Sequence, residues 1–310
     1  MPGASLLHYR PWRGRFRGVT LSVLPVARIS LWMMFRRKLF WALYALGLLM
    51  FFMFFFGQYL LAWAETQTAE ETVRIGVVRA EPDKLVHLLR EVLKLNGTGY
   101  TYRNFFWFQG YMVMIVLAMA GSILVGNDFH FGSLPFYLSK PVGRWHYLLG
   151  KCLAVAVFIN LMTTVPALIL FVQYGLLDSW SYFVESGRLF LGILGYGLLL
   201  TVCLSLMLVA AATWLRRTVP MIMTWTTLFL FFPILAKTLV DGFHYDRHWR
   251  LLDLWNDAYL LGNACLGMAQ DTIRPVEQPA VYEAGLLLGA LSLLCLIYLN
   301  LRIRAVEIVR

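Results

Sequence analysis

The sequence predicts an all-α polytopic membrane protein: six transmembrane helices, an N-terminal interfacial helix, and cytoplasmic N- and C-termini. Three observations carry this reading. First, 60% of the 310 residues are hydrophobic and only 14% are charged, whereas a soluble domain averages about 25% charged and under half apolar. Second, six apolar runs approach or exceed the roughly 20 residues a helix needs to cross the hydrocarbon core. Third, the cations gather on alternate segments between those runs. No soluble domain boundary is visible.

Residues 1–38 form a basic arm with Arg10, Arg13, Arg15, Arg17, Arg28, Arg36, Arg37 and Lys38 and no acid. Residues 1–18 read as a basic tail. Val19 to Met34 is moderately apolar, interrupted by Arg28 and Ser30, and reads as an interfacial helix that Pro25 starts or bends. The first long apolar run begins near Leu39, behind this arm, and is too long for the apolar core of a secretory signal.

The six-span region covers residues 39–310. Its spans are expected at 39–63, 105–125, 147–172, 189–215, 219–240 and 284–301. Helices are the only reading, because lipid satisfies no free backbone group. Arg216-Arg217-Thr218 leaves so little chain between the fourth and fifth runs that the two must form an antiparallel hairpin. Pro166 and Pro233 are placed to bend their helices. Two longer outer segments remain, 64–104 and 241–283. The first holds a short strand near Val73 to Val78 and a helix from Glu81-Pro82-Asp83 to Leu95, ended by Asn96-Gly97. Tyr100, Tyr102, Phe106 and Trp107 then supply interfacial aromatics. In the second, Trp249 to Leu261 has Leu251, Leu254, Trp255, Ala258 and Leu261 at helical spacing, as in an amphipathic helix lying on or dipping into the outer leaflet.

Orientation follows from the charges. With the N-terminus inside, the inner segments hold 16 of the 27 cations and two of the 17 acids, Asp128 and Glu307. The net charge of +10 alone would suit nucleic acid, but this distribution points to membrane topology, with the lipid bilayer as partner and no nucleic acid. The four cysteines, Cys152, Cys203, Cys265 and Cys295, are widely spaced and read as small core residues.

Little in the chain carries chemistry. Gly150-Lys151 lacks the preceding glycine loop and the following hydroxyl of a phosphate-binding loop. None of the six histidines lies in the middle of a span. His244 and His248, four apart with Asp241 and Asp246 close by, leave an outer metal site conceivable but fix no third ligand, so no metal is expected. Lys237 and Glu283 sit near outer span ends, where they snorkel. Buried carboxylates, usual in proton or ion pumps, are not expected in the spans. Asn160, Thr163, Thr164, Thr201, Ser205, Thr224, Thr226 and Thr227 are polar at depth. Asn160, Thr163, Thr164, Thr201, Ser205 and Thr227 are the candidates to line a pathway, against the plainer role of helix–helix packing. Gly192-x-x-Gly195-x-Gly197 allows close backbone approach, either within the chain or at a dimer face.

Residues 126–151 are too polar to span. They carry Asp128, the breakers Gly132, Pro135, Pro141 and Gly143, and the cations Lys140, Arg144 and Lys151. Asp128, Gly132-Ser133-Leu134, Leu138-Ser139, Pro141-Val142-Gly143-Arg144 and Gly150-Lys151 together resemble the first cytoplasmic loop of ABC-2-type transporter permeases. The chain departs from that pattern in having Phe129, His130 and Phe131 where charges are common, Ser133 for Thr, and Asp128 for Glu.

The resemblance implies a non-enzymatic permease subunit of an ATP-driven exporter in a bacterial inner membrane. It implies work as a homodimer or with a homologous permease, beside a cytoplasmic ABC ATPase that holds ATP and Mg. The chain itself would bind no cofactor. Asp128, Phe129, His130, Phe131, Gly132, Ser133, Leu134, Pro141, Arg144 and Lys151 would form the coupling loop. The alternative reading is a membrane scaffold or accessory subunit of a larger envelope complex, without a transport path. An intramembrane enzyme is disfavoured by the lack of mid-membrane His, Asp and Glu.

Overall fold

The computed structural model describes residues 23–65, 73–75, 78–80, 86–121, 144–215, 217–268 and 277–302. Helix α1 (Val23–Phe35) leads through Arg36 and Arg37 into α2 (Lys38–Glu65). Helix α3 spans Gly99–Gly121, followed by α4 (Arg144–Met162), α5 (Thr164–Leu177), the short α6 (Trp180–Glu185) and α7 (Gly187–Leu215). Helix α8 runs over Thr218–Gly242. Helix α9 (Leu254–Cys265) and α10 (Val281–Arg302) complete the set.

Among the described residues, five helical stretches are long and apolar enough to cross a membrane: α2, α4 with α5, α7, α8 and α10. The chain is thus an integral multi-pass membrane protein with an all-α body. The run expected as a sixth span falls on α3, which is 23 residues long and carries Arg103, Asn104 and Gln109 in its first half. It is not among the five. Even so, it runs alongside them. A Cβ on Gly99, at one end, would lie 3.2 Å from the Met268 side chain. A Cβ on Gly121, at the other, would lie 2.6 Å from Met221.

Helix α7 is the centre of the body. It packs on α3, α4, α5, α8, α9 and α10, and 61% of its most apolar stretch is buried, against 22% for α2 and 17% for α10. The glycine pattern of α7 explains the close packing. A Cβ on Gly192 would lie 2.5 Å from the Cys265 carbonyl oxygen, and one on Gly197 would lie 2.0 Å from Thr164 Oγ1. The glycines therefore serve packing within the chain. Helices α2, α8 and α10 lie at the periphery and expose large apolar residues such as Phe56, Leu230 and Leu286, as a lipid-facing surface requires.

Both prolines act where their missing N–H and bulky ring dictate. Pro166 would clash with the Met162 carbonyl, and the helix breaks there: α4 ends at Met162 and α5 begins at Thr164. Thr163 covers the break by donating its hydroxyl to the Ile159 carbonyl at 2.8 Å. In α8 a π-helical turn over Thr227–Phe231 stands just before Pro233, and the wider turn accommodates the ring.

The outer segments differ from expectation in three ways. The strand expected near Val73 to Val78 is one arm of a small antiparallel hairpin, Val73–Ile75 with Val78–Ala80. The described part of the following helix is a π-helical turn, Leu88–Val92. Residues 81–85, including the expected Glu81-Pro82-Asp83 start, lie outside the described residues. The chain turns with positive φ at Lys94 and again at Gly97, where the Gly97 carbonyl accepts from the Tyr182 hydroxyl at 2.6 Å.

The third difference is the largest. The helix expected over Trp249 to Leu261 is two elements, a 3-10 turn Arg247–Leu252 and helix α9, each capped by an aspartate, Asp246 and Asp253. Nine of the twelve α9 residues are buried. The helix is inserted among α3, α7 and α10, which suits a segment dipping inward better than one lying flat.

Candidate functional site

At one end of the body, α1 packs on the first turns of α4. Its Pro25 stands in the first turn, where the absent N–H costs no hydrogen bond. Val26, Ala27, Ser30 and Met34 are buried, while Leu24, Ile29 and Trp32 remain exposed, as an interfacial helix would present them to lipid. Gly150 makes the close approach possible: a Cβ there would lie 2.7 Å from Val26 Cβ and 3.0 Å from the Val23 carbonyl oxygen. The neighbouring Lys151 is almost completely buried, its Nζ 5.6 Å from the centre of the Tyr147 ring. Arg144 begins α4. Asp128, Phe129, His130, Phe131, Gly132, Ser133, Leu134 and Pro141 lie outside the described residues.

From this end, polar contacts lead to the centre of the body. Asn160 donates from Nδ2 to its own helix at the Ala156 carbonyl, 2.8 Å, and across to Thr201 Oγ1 of α7, 2.7 Å. One turn further, Thr164 abuts Gly197. Ser205 is buried on the same helix and sits 3.4 Å from the Val202 carbonyl. Asn160, Thr164 and Thr201 thus meet along one seam between α4–α5 and α7. Thr163 is turned to its own helix, whereas Ser205 also meets the Cys152 side chain of α4 across the seam. Thr227 stands apart on α8, exposed, with its hydroxyl on the Met223 carbonyl at 2.9 Å. The Asn160–Thr201 hydrogen bond and the close packing of Thr164 on Gly197 hold these helices together.

The opposite end holds polar groups that the sequence reading missed. Asp257 of α9 is fully buried, and neither carboxylate oxygen has a hydrogen-bond partner. Burial, with the Asp253 carboxylate adding to it, pushes its pKa up to about 8. The carboxyl is therefore neutral at pH 7. A signal was present: α9 reads LWNDAYLLGNAC, with no Lys or Arg on its polar face, unlike a helix lying at an interface. Gln58 and Gln109, both buried inside α2 and α3, were likewise readable as polar residues in apolar runs.

The outer histidines separate. His248 stands between Asp246 and Glu283, its Nε2 3.3 Å from Glu283 Oε1 and its Nδ1 hydrogen-bonded to Asp246. Hydrogen bonds to Asp246 and then Glu283 raise its pKa, while the His248 backbone N–H, and after it the ring, lowers that of Asp246. Asp241 pairs instead with Arg250. His244 sits in a positive-φ turn. Among the described residues no cluster of His, Cys, Asp and Glu is arranged to hold a metal ion. Set against known protein families and characterised proteins, the sequence matches no family model and no characterised protein.

Proposed function

We propose that this chain is the membrane-spanning permease subunit of an ATP-driven ABC-2-type transporter, working as an exporter in a bacterial cytoplasmic membrane. It pairs with a second copy of itself or with a homologous permease. A separate cytoplasmic ATPase subunit binds ATP and Mg, and couples through residues 126–151.

The observation that supports this reading most is a mechanical one. Helix α4, which leads out of that loop, is clasped by α1 at Gly150 and hydrogen-bonded to the central helix α7 at Asn160–Thr201. A push on the loop would therefore move α4 and α1 as a unit and pass to α7, around which the other helices pack. Helix shifts of this kind, relayed through packed elements, are an ordinary way of switching access. The Asn160–Thr201 and Thr164–Gly197 contacts would be the ones to slide.

The test is ATPase activity of the chain co-expressed with a candidate ATPase subunit, with and without Gly132→Pro plus Asp128→Arg. A complex that hydrolyses ATP, with assembly or coupling lost in the variant, is the expected result. If no ATPase co-purifies and the variant behaves as wild type, the chain is instead a scaffold of an envelope complex.

A further inference from the structure

Helix α1 presents an exposed face on the side away from α4. Val26, Ala27, Ser30 and Met34 turn into the body and are buried. Leu24, Arg28, Trp32 and Arg36 recur every fourth residue, which sets them in one line along the helix. All four are exposed, Trp32 by 58%. Arg36 stays on that line because its N–H still bonds the Trp32 carbonyl at 3.2 Å. Its guanidinium lies 4.6 Å from the centre of the Trp32 ring. The corner into α2 is fixed as well. The Arg37 N–H donates to the Met34 carbonyl at 3.0 Å, and the Phe40 N–H to the Arg37 carbonyl at 3.1 Å. Trp41 Nε1 donates to the Phe35 carbonyl at 2.8 Å. Arg37 and Lys38 are thus held, exposed, at the foot of the stripe.

Charge and shape together name the partner. No acid occurs in the sequence before Glu65, which ends α2, about 40 Å from Lys38 along the helix, and pairs with Arg90. Among the described residues no carboxylate pairs with Arg28, Arg36, Arg37 or Lys38. Asp128 and Glu307 are the acids that six crossings would add to this end, against 16 cations, and two carboxylates cannot neutralise them. The surface is positive, and Leu24, Ile29 and Trp32 are exposed among its cations. Tryptophan favours the depth of the headgroups. Arginine keeps its methylenes in the apolar layer while its planar fork meets phosphate. A water-soluble acidic partner would cover the cations and offer nothing to Leu24 and Ile29, whereas a leaflet of anionic lipid answers both.

We propose that the exposed face of α1 and the corner Arg36-Arg37-Lys38 bind the phosphate headgroups of anionic lipids, and so pin α1, with α4 clasped behind it at Gly150, to that leaflet. The surface acts without the ATPase, so its failure and that of the transporter reading are separable.

The test puts the full chain in phosphatidylcholine vesicles doped with phosphatidylglycerol that carries a photoreactive group on its headgroup. Crosslinks should fall within residues 24–41. Unlabelled phosphatidylglycerol should compete them away, and unlabelled phosphatidylcholine of matched chains should not. Inorganic phosphate should compete no better than chloride at the same ionic strength, which separates a headgroup held at the bilayer from a free anion. Each cation near such a surface is worth roughly fivefold in affinity. Arg28→Gln plus Arg36→Gln, both at exposed positions, should lower the crosslink yield by at least that factor. Lys237→Gln plus Arg247→Gln removes the same charge from exposed positions elsewhere and should leave the yield unchanged. Competition by phosphatidylcholine as strong as by phosphatidylglycerol, or specific displacement by phosphate, would overturn the proposal. Equal yields from the two double variants would also overturn it, and would leave the cations to an acidic protein surface.

Discussion

Asp257 shows how much one side chain can set the behaviour of the fold. A buried carboxylate with no partner costs far more than a buried carboxylic acid, so the folded chain holds the proton more tightly than the unfolded one. The sign follows from linkage. Below the unfolded carboxylate value of 3.8 both states are protonated and no stability is lost. As pH rises from there towards about 8, the unfolded chain releases the proton and the folded chain keeps it, so stability falls throughout that window. His248 pulls the same way: its raised pKa gives stability below the ordinary histidine range that is lost as pH rises through the folded value. Thermal unfolding in detergent separates the two. Asp257→Asn should raise the melting temperature at pH 8 by several degrees and flatten the fall between pH 5 and 8. His248→Gln, at a fully exposed position, should change only a small part of the slope. A wild-type profile with no fall relative to Asp257→Asn would contradict the assignment.

Among the elements, the long apolar helices were legible and the inserted one was not, for a physical reason. Hydrocarbon thickness imposes a length on every span, and that demand survives in the sequence whatever the neighbours are: residues 39–63 predicted a span where the helix is Lys38–Glu65, and residues 284–301 one where it is Val281–Arg302. Helix α9 leaves a helical period in Leu254, Trp255, Ala258 and Leu261, but that period suits a surface helix equally well, and only the structure shows Asn256, Asp257 and Asn263 buried together with Leu254 and Trp255. The seam of the candidate site was legible only as residue types. That Asn160 meets Thr201 and Thr164 meets Gly197 depends on the register of α4 and α5 against α7, which no local pattern encodes. The register gives a prediction. Gly197→Ala places a methyl 2.0 Å from Thr164 Oγ1 and should destabilise by about 1–3 kcal/mol, as overpacking does. Thr164→Ala should recover part of that loss. Gly289→Ala on the peripheral α10 meets nothing within 4 Å and should be neutral or slightly stabilising, because alanine is the better helix former. Equal effects at Gly197 and Gly289, measured by thermal unfolding, would mean α5 and α7 are not in contact there.

At the scale of the whole molecule, α3 decides which side of the membrane each end of the chain occupies. If only the five most apolar stretches crossed, Val26 and Gly150 would stand on opposite sides, separated by α2 alone. The structure has them in contact, and two packed residues cannot face different leaflets. A sixth crossing by α3 would return the chain: at about 1.5 Å per residue its 23 residues reach roughly 35 Å, and its ends meet Met268 and Met221 at opposite ends of the body. Its Arg103 and Asn104 lie in the first turns, near one end of the helix, where a charge costs less than at mid-membrane. Six crossings would place Arg28 and Arg217 on one side and Ser179 and Tyr245 on the other, and the cation count would put the first pair inside. Single cysteines at these four exposed positions, in a chain whose Cys152, Cys203, Cys265 and Cys295 are replaced, should react accordingly with a membrane-impermeant maleimide on intact cells. Ser179→Cys and Tyr245→Cys are labelled at once, whereas Arg28→Cys and Arg217→Cys react only after lysis. Arg28→Cys and Arg217→Cys falling on different sides would remove α3 as a crossing, and with it the shared inner face on which α1, α4 and the loop between α3 and α4 are read as one lever.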